Sequence, residues 1–237
     1  MIAICNLKKR FGVLEVLRGV DMVVPAGRIT GVVGPNAAGK TTLIKSILGL
    51  TRADSGGIDV AGVQVNGDES YRHRIGYMPQ IARFPSNLTG AELLKMLRDL
   101  RPQASGIDED LIESFGLARE MHKKLDTLSG GTKQKINAVA AFLFRPDLLI
   151  LDEPTAGLDP RSSSVLKDKI LTERAAGRTF LIASHLMSEL EELADQVIFI
   201  NEGRVQFSGS IHQIMELTRE ANLERAIAEL MERGAAA

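Results

Sequence analysis

The segment Gly34-Pro35-Asn36-Ala37-Ala38-Gly39-Lys40-Thr41-Thr42 has the composition of a loop that cradles a polyphosphate. Small residues let consecutive backbone N–H groups point into one concavity. A helix starting there aims the positive end of its dipole at the same point. Lys40 would place a full charge where the β- and γ-phosphates of a nucleoside triphosphate lie, and the Thr41 hydroxyl is set to ligate Mg2+. The flanks fit. The apolar run Arg28-Ile29-Thr30-Gly31-Val32-Val33 precedes the loop, and Leu43, Ile44, Ile47 and Leu48 recur after it at helical spacing. A chance match to the minimal Gly-x4-Gly-Lys-[Ser/Thr] pattern would occur in roughly one chain per hundred of this length. The required strand and helix make it rarer.

A second segment, Leu148-Leu149-Ile150-Leu151-Asp152-Glu153-Pro154, reads as a buried strand that delivers two acids at its C-terminal end. Asp152 could hold Mg2+ directly or through water, and Glu153 could orient and deprotonate an attacking water. A strand end punctuated by exposed acids is the plain alternative. Next to a phosphate loop, the pair points to ATP hydrolysis.

Elements must position these groups, and the composition permits a substantial core. The chain has 237 residues, 44% hydrophobic, enough for one large domain or two small ones. A formal net charge of -1 argues against a general grip on nucleic acid, whose backbone binders carry a basic excess. The single cysteine, Cys5, rules out an internal disulfide and suits a reducing compartment. The start Met1-Ile2-Ala3-Ile4 does not read as a signal peptide. The longest apolar runs, Leu148 to Leu151 and Val197 to Ile200, fall far below the ~20 residues that span a bilayer, so the chain reads as soluble.

Strands rich in β-branched residues are expected at Ala3 to Leu7, Val20 to Val24, Ile29 to Val33 and near Gly57 to Val60. From about Asn87 to Arg145 the pattern is helical. Thr89 is expected to cap a helix carrying Leu93, Leu94, Leu97 and Leu100, and Asp108 a second carrying Leu111, Ile112 and Phe115. Short apolar runs then return at Leu148 to Leu151, Phe180 to Ala183 and Val197 to Ile200, as in parallel strands covered on both faces. The chain from Ser210 is helical again in two segments, with Gly234 to Ala237 expected to fray.

A third element completes a pattern. Leu128-Ser129-Gly130-Gly131-Thr132-Lys133-Gln134-Lys135 starts a helix containing Ile136, Val139, Ala140 and Leu143, which makes a second anion-binding helix end. It resembles the signature motif of ATP-binding cassette (ABC) ATPases, and with the two Walker motifs in order the resemblance covers nearly the whole chain. The implied fold is α/β: a P-loop NTPase core with a mainly parallel sheet, an N-terminal antiparallel β layer and an inserted helical signature subdomain. The corresponding division is 1–86 and 146–209 for the core with its β layer, 87–145 for the signature subdomain, and 210–237 for a helical tail.

The resemblance assigns roles residue by residue. Gln80, in Tyr77-Met78-Pro79-Gln80, looks like the Q-loop glutamine that reaches Mg2+ and the attacking water. Asp159 resembles the D-loop aspartate that communicates across a dimer, and His185 the switch histidine that contacts the γ-phosphate. Phe11 falls where the family stacks an aromatic on adenine, although a core position in the β layer is equally open to it. Two departures stand out. Ala37 occupies a usual glycine position, where a positive φ would be strained, and Thr132 replaces a frequent glutamine or methionine.

In the family the signature of one subunit covers the nucleotide held by the phosphate loop of another, so the resemblance implies a head-to-tail dimer around two ATP molecules, as a homodimer or with a related subunit. It also implies separate transmembrane permease subunits, docked near Gln80 and Ile81 to Leu88 with Phe84 and Leu88 exposed or buried under the insert. The chain would then sit peripherally on the inner face of the cell membrane. The tail Ala221 to Ile227 is similar to that of ATPases serving bacterial ABC-2-type exporters, so export is expected over import. The alternatives are a soluble ABC ATPase that remodels a protein or nucleic-acid complex and a plain nucleotide-binding regulator, the latter disfavoured by Glu153.

Overall fold

The computed structural model describes residues 1–67, 69–104 and 106–235. In chain order the strands and helices are β1 (Ile2–Phe11), β2 (Leu14–Val24), β3 (Ile29–Val33), α1 (Lys40–Ile47), β4 (Ser55–Val60), β5 (Val63–Gln64), β6 (Ile75–Met78), α2 (Gly90–Leu100), α3 (Asp110–Ser114) and α4 (Gly130–Phe142). They continue as β7 (Leu148–Asp152), α5 (Pro160–Ala175), β8 (Thr179–Ala183), α6 (Met187–Leu193), β9 (Gln196–Asn201), β10 (Arg204–Gly209), α7 (Ile211–Thr218) and α8 (Leu223–Ala235). The last helix runs through Gly234 into the stretch expected to fray, and 236 and 237 lie outside the described residues.

Two sheets form. The smaller is antiparallel, with order β2-β1-β4-β5; the larger has order β10-β9-β3-β8-β7-β6, parallel throughout except for β10. Strands β3, β7 and β8 are buried at every position because both faces are covered. Strand alternation divides their side chains between two cores. Leu148 and Ile150 face one side with Leu43, Ile44 and Ile47 of α1 and with Ile2, Ile4 and Val24 of the antiparallel sheet. Leu149 and Leu151 face the other side with Ile136, Val139 and Phe142 of α4, Leu166 and Ile170 of α5, and Leu223 and Ile227 of α8. Thus α1 lies between the sheets, and the tail helices cover the far face.

Between β6 and β7 the described chain is helical, as its pattern requires. Thr89 caps α2 in a reciprocal box: its Oγ1 accepts from Glu92 N at 3.2 Å, and Glu92 accepts from Thr89 N at 2.8 Å. Asp108 departs from expectation. The helix begins at Asp110 with Glu109 at the cap position and no side-chain cap bond. Asp108 lies one residue earlier and divides its oxygens: Oδ1 accepts from Asp110 N, the first helical residue, at 3.2 Å, and Oδ2 from Lys169 Nζ of α5 at 2.6 Å. A buried carboxylate needs a counter-charge, which the helix N–H does not supply by itself.

Strand β6 has no clear sequence signature, being four residues long with a glycine inside. Gly76 is there for space. A Cβ on it would lie 2.1 Å from Ala141 O, so the strand can press directly against α4.

Candidate functional site

Strand register gathers the singled-out residues at one edge. In the parallel sheet Val32 lies beside Ala183, Ala183 beside Asp152, and Leu151 beside Met78. The segments that follow, the loop from Gly34, Glu153, His185 and Gln80, therefore all leave the C-terminal end of the sheet, where open α/β sheets place their ligands.

The phosphate loop is held tightly by its neighbours. A Cβ on Gly34 would stand 2.1 Å from Ile200 O, and one on Gly39 would stand 2.9 Å from Val16 O and Leu17 Cδ2. Gly39 caps α1 at φ 106, so the helix dipole opens toward the loop. Ala37 adopts φ 65, the positive value expected to strain it. Pro35 O accepts from Ala38 N at 3.2 Å, while Asn36, Ala37 and Thr41 are exposed and Thr42 is half-buried. Lys40 Nζ folds back onto Gly34 O at 2.6 Å and Pro35 O at 3.0 Å. Burial pushes its ammonium down, against the pull of Glu153 and Asp152.

Facing it are the two acids. Asp152 is buried, and burial first, then the charge of Glu153, push its carboxyl up despite Lys40 and Lys45. Tyr77 on β6 feels the same pair of influences, burial and Asp152, which push its phenol up to about 12. Glu153 is buried in a left-handed backbone conformation, φ 51, with its N–H on Ala183 O at 2.8 Å. Strain of this kind persists where surrounding structure over-determines the backbone. Its Oε2 lies 2.6 Å from His185 Nδ1, and His185 N donates to the same oxygen at 3.3 Å. Where the carboxylate is ionised it only accepts, and Nδ1 is then the donor of the pair. Gln80 is exposed two residues beyond the end of β6, with no side-chain hydrogen bond among the described residues.

The remaining residues lie apart from this edge cluster in their bonding. Ser129 caps α4, accepting from Thr132 N at 3.1 Å, with the two hydroxyls 2.8 Å apart. Thr132 thus ties down the Ser129 hydroxyl at the start of the helix. Asp159 caps α5, accepting from Ser162 N at 2.9 Å and from its hydroxyl at 2.7 Å, and pairs with Lys135 of α4 at 3.0 Å. The bonds from Ser162, then Lys135, hold its carboxyl well below the usual range. Among the described residues no hydrogen bond or ion pair joins 129–131 to 34–42. Phe11 is 52% exposed at the tip of β1, which excludes the core role, and Lys9 Nζ sits 5.3 Å from its ring centroid.

Residues without a sequence-based role also converge here. Gln134 and Asn137, buried on α4, bond to the carbonyls of Pro154 and Pro79. Glu189 of α6 accepts from Ser184 Oγ at 2.9 Å next to His185. Polar residues spaced i, i+3 within the apolar pattern of α4 were the available signal for the first two.

A lysine-bearing loop on a helix start, facing two acids on the next-but-one strand, defines a nucleoside-triphosphate-hydrolysing P-loop fold. The chain belongs to the ABC transporter family, whose model matches residues 17–156, and is an ATPase of that family. It is similar to the Nod factor export ATP-binding protein I of Burkholderia lata, 37% identical over 216 residues, or 89% of this chain and 71% of that one. A solved structure of the ATP-binding subunit of an ABC transporter matches with TM-score 0.92 at 30% identity, covering 98% of this chain and 99% of that one. A dimeric ATP-binding cassette solved with ADP and Pi shares the fold, with TM-score 0.79 at 20% identity over 89% of this chain and 98% of its own.

Proposed function

We propose that this subunit hydrolyses ATP in a head-to-tail dimer and thereby drives export through separate permease subunits at the inner face of the membrane. The observation that carries the reading is the division of the chain into two anion-directed helix starts. One, at Gly39, faces Lys40 and the acids. The other, at Ser129, makes no hydrogen bond or ion pair with that set among the described residues. A second copy, turned about a two-fold axis, would supply each with its complement.

Within one subunit the chemistry divides as follows. Lys40 exchanges the carbonyls of Gly34 and Pro35 for phosphate oxygens, a stronger, charge-assisted pairing. Glu153 accepts a proton from the attacking water once His185 releases it, and His185 and Gln80 orient the γ-phosphate and the water. Phe11 offers an exposed face to adenine, and Asp159 lies where subunits would communicate. Asp152 and Thr41 fit Mg2+: a buried carboxylate that burial and Glu153 push up despite Lys40 and Lys45, and an exposed hydroxyl at the start of α1, suit a hard cation that takes one or two protein ligands and completes its shell with phosphate and water. Bound there, Mg2+ would neutralise charge on the β- and γ-phosphates.

Permease docking is supported by a groove of ≈ 420 Å3 between the Gln80 segment and the insert, lined by Pro79, Phe84, Leu93, Leu97 and Phe144. Phe84 and Leu88 are half-buried against the core, Phe84 also lining the groove, while Ile81 in the same segment is exposed. Among the described residues no helix is long and apolar enough to cross a membrane. The name of the Burkholderia relative favours export. Replacing Glu153 by Gln keeps shape and removes the base, so ATP is expected to accumulate an uncleaved dimer. Only monomer by light scattering with ATP would overturn the sandwich. Native-membrane copurification without a multi-span partner would overturn the transport assignment.

A further inference from the structure

Helix α4, which starts at Ser129-Gly130-Gly131, carries two buried amides on the face that meets the hydrolysis site. Asn137 Nδ2 donates to Pro79 O at 2.8 Å and to Gln134 Oε1 at 3.3 Å, and Gln134 Nε2 donates to Pro154 O at 3.4 Å. Pro79 precedes Gln80, and Pro154 follows Glu153. Carbonyl oxygens only accept, so each amide must turn its nitrogen toward its proline, and the three bonds have one consistent direction.

Asn137 is 2% exposed and Gln134 6%, so water does not take over these bonds. Burying two amides on the helix face they share with Ala138 and Ala141 carries a desolvation cost that apolar side chains would avoid. The bonds are spent on the peptide units flanking two proposed catalytic residues. Backbone packing reinforces the link, since Gly76 brings β6 against Ala141 of the same helix.

We propose that Asn137 and Gln134 are positioning residues that couple the two ATP sites. When the start of α4 is drawn onto nucleotide held by the partner subunit, the helix shifts Pro79 and Pro154 through these amides and sets Gln80 and Glu153 over the nucleotide of its own subunit. Neither amide touches nucleotide. The proposal rests on the head-to-tail dimer reading.

The test uses the full chain with Asn137→Leu and Gln134→Met, which keep volume and remove the donors; Gln134→Met carries the test alone if Asn137→Leu does not fold. ATP hydrolysis is followed against ATP concentration, with nucleotide Kd and ATP-driven dimerisation in the Glu153→Gln background measured alongside. The unsubstituted chain is expected to show a Hill coefficient well above 1. In the variants it falls to about 1 and kcat falls about ten-fold, while Kd and dimerisation stay within about two-fold. An unchanged Hill coefficient or kcat in a folded variant, or a Hill coefficient of 1 in the unsubstituted dimer, overturns the coupling and leaves the dimer standing. Absence of any ATP-driven dimer in the Glu153→Gln chain overturns the dimer reading and this proposal with it.

Discussion

The two glycine-rich helix starts of this chain look alike in sequence and are constrained in opposite ways. At Gly34 and Gly39 an added Cβ would run into backbone of the same chain, at 2.1 Å from Ile200 O and 2.9 Å from Val16 O. At Gly130 it would meet nothing within 4 Å. The first region also holds strained backbone, at Ala37 and Glu153, whereas 129–131 has none. Gly131 does pack inside the chain, against Gly157 O at 2.9 Å, so the openness is specific to Gly130. A small residue needed by internal packing belongs to a finished cradle. One with open space around it leaves room for something from outside, in the proposed dimer a nucleotide carried by a second subunit.

The largest expected effect separates the two regions by binding. Lys40→Ala should weaken ATP affinity of the single subunit on the order of 1,000-fold, because a desolvated charge partner of the phosphates is lost. Ser129→Ala should leave that affinity unchanged and reduce ATP-driven dimerisation instead. Titration of nucleotide at low protein concentration, followed by light scattering, reads both, and equal losses of affinity would erase the distinction.

Stability should separate them next. Gly34→Ala forces a Cβ into Ile200 O and is expected to cost about 3 kcal/mol. Gly130→Ala, in open space at the first helical position, should stay within about 0.5 kcal/mol while hydrolysis falls. Urea denaturation with an ATPase assay decides the pair.

The attachment of the insert to the core is open to the same treatment. Lys169 gathers Asp108, Asp110 and Glu173 at 2.6, 3.3 and 3.1 Å, and Asp108 is buried. Lys169→Met should cost about 2 kcal/mol, less than a fully buried pair because Asp110 is exposed. A smaller loss would mean that the other ties of the insert, such as Lys135 with Asp159 and Asn137 with Pro79 O, together with apolar packing, hold it without Lys169.

The smallest effect is a gain. Ala37→Gly relieves the positive φ at the price of a more flexible unfolded chain, for a net stabilisation of about 0.5 kcal/mol by thermal denaturation. A loss would show that the loop relaxes around Ala37.

What could be read in sequence was local or periodic. The phosphate loop, the acids at Asp152 and Glu153, and the caps at Thr89 and Ser129 are contiguous patterns, because a helix start or strand end is decided by residues a few positions apart. The continuous apolar runs of β3, β7 and β8 identified strands covered on both faces. Strand β6 escaped because an edge strand of four residues with an internal glycine has neither length nor alternation to mark it.

Tertiary structure decided the pairings. That Glu153 meets His185, that Asp108 meets Lys169 as well as the start of its helix, and that Asn137 and Gln134 reach Pro79 and Pro154 all depend on segments far apart in the chain. Periodicity says that a residue is buried. It does not say which donor or carbonyl stands opposite, because that follows from strand order and register, which the packing of both cores selects together.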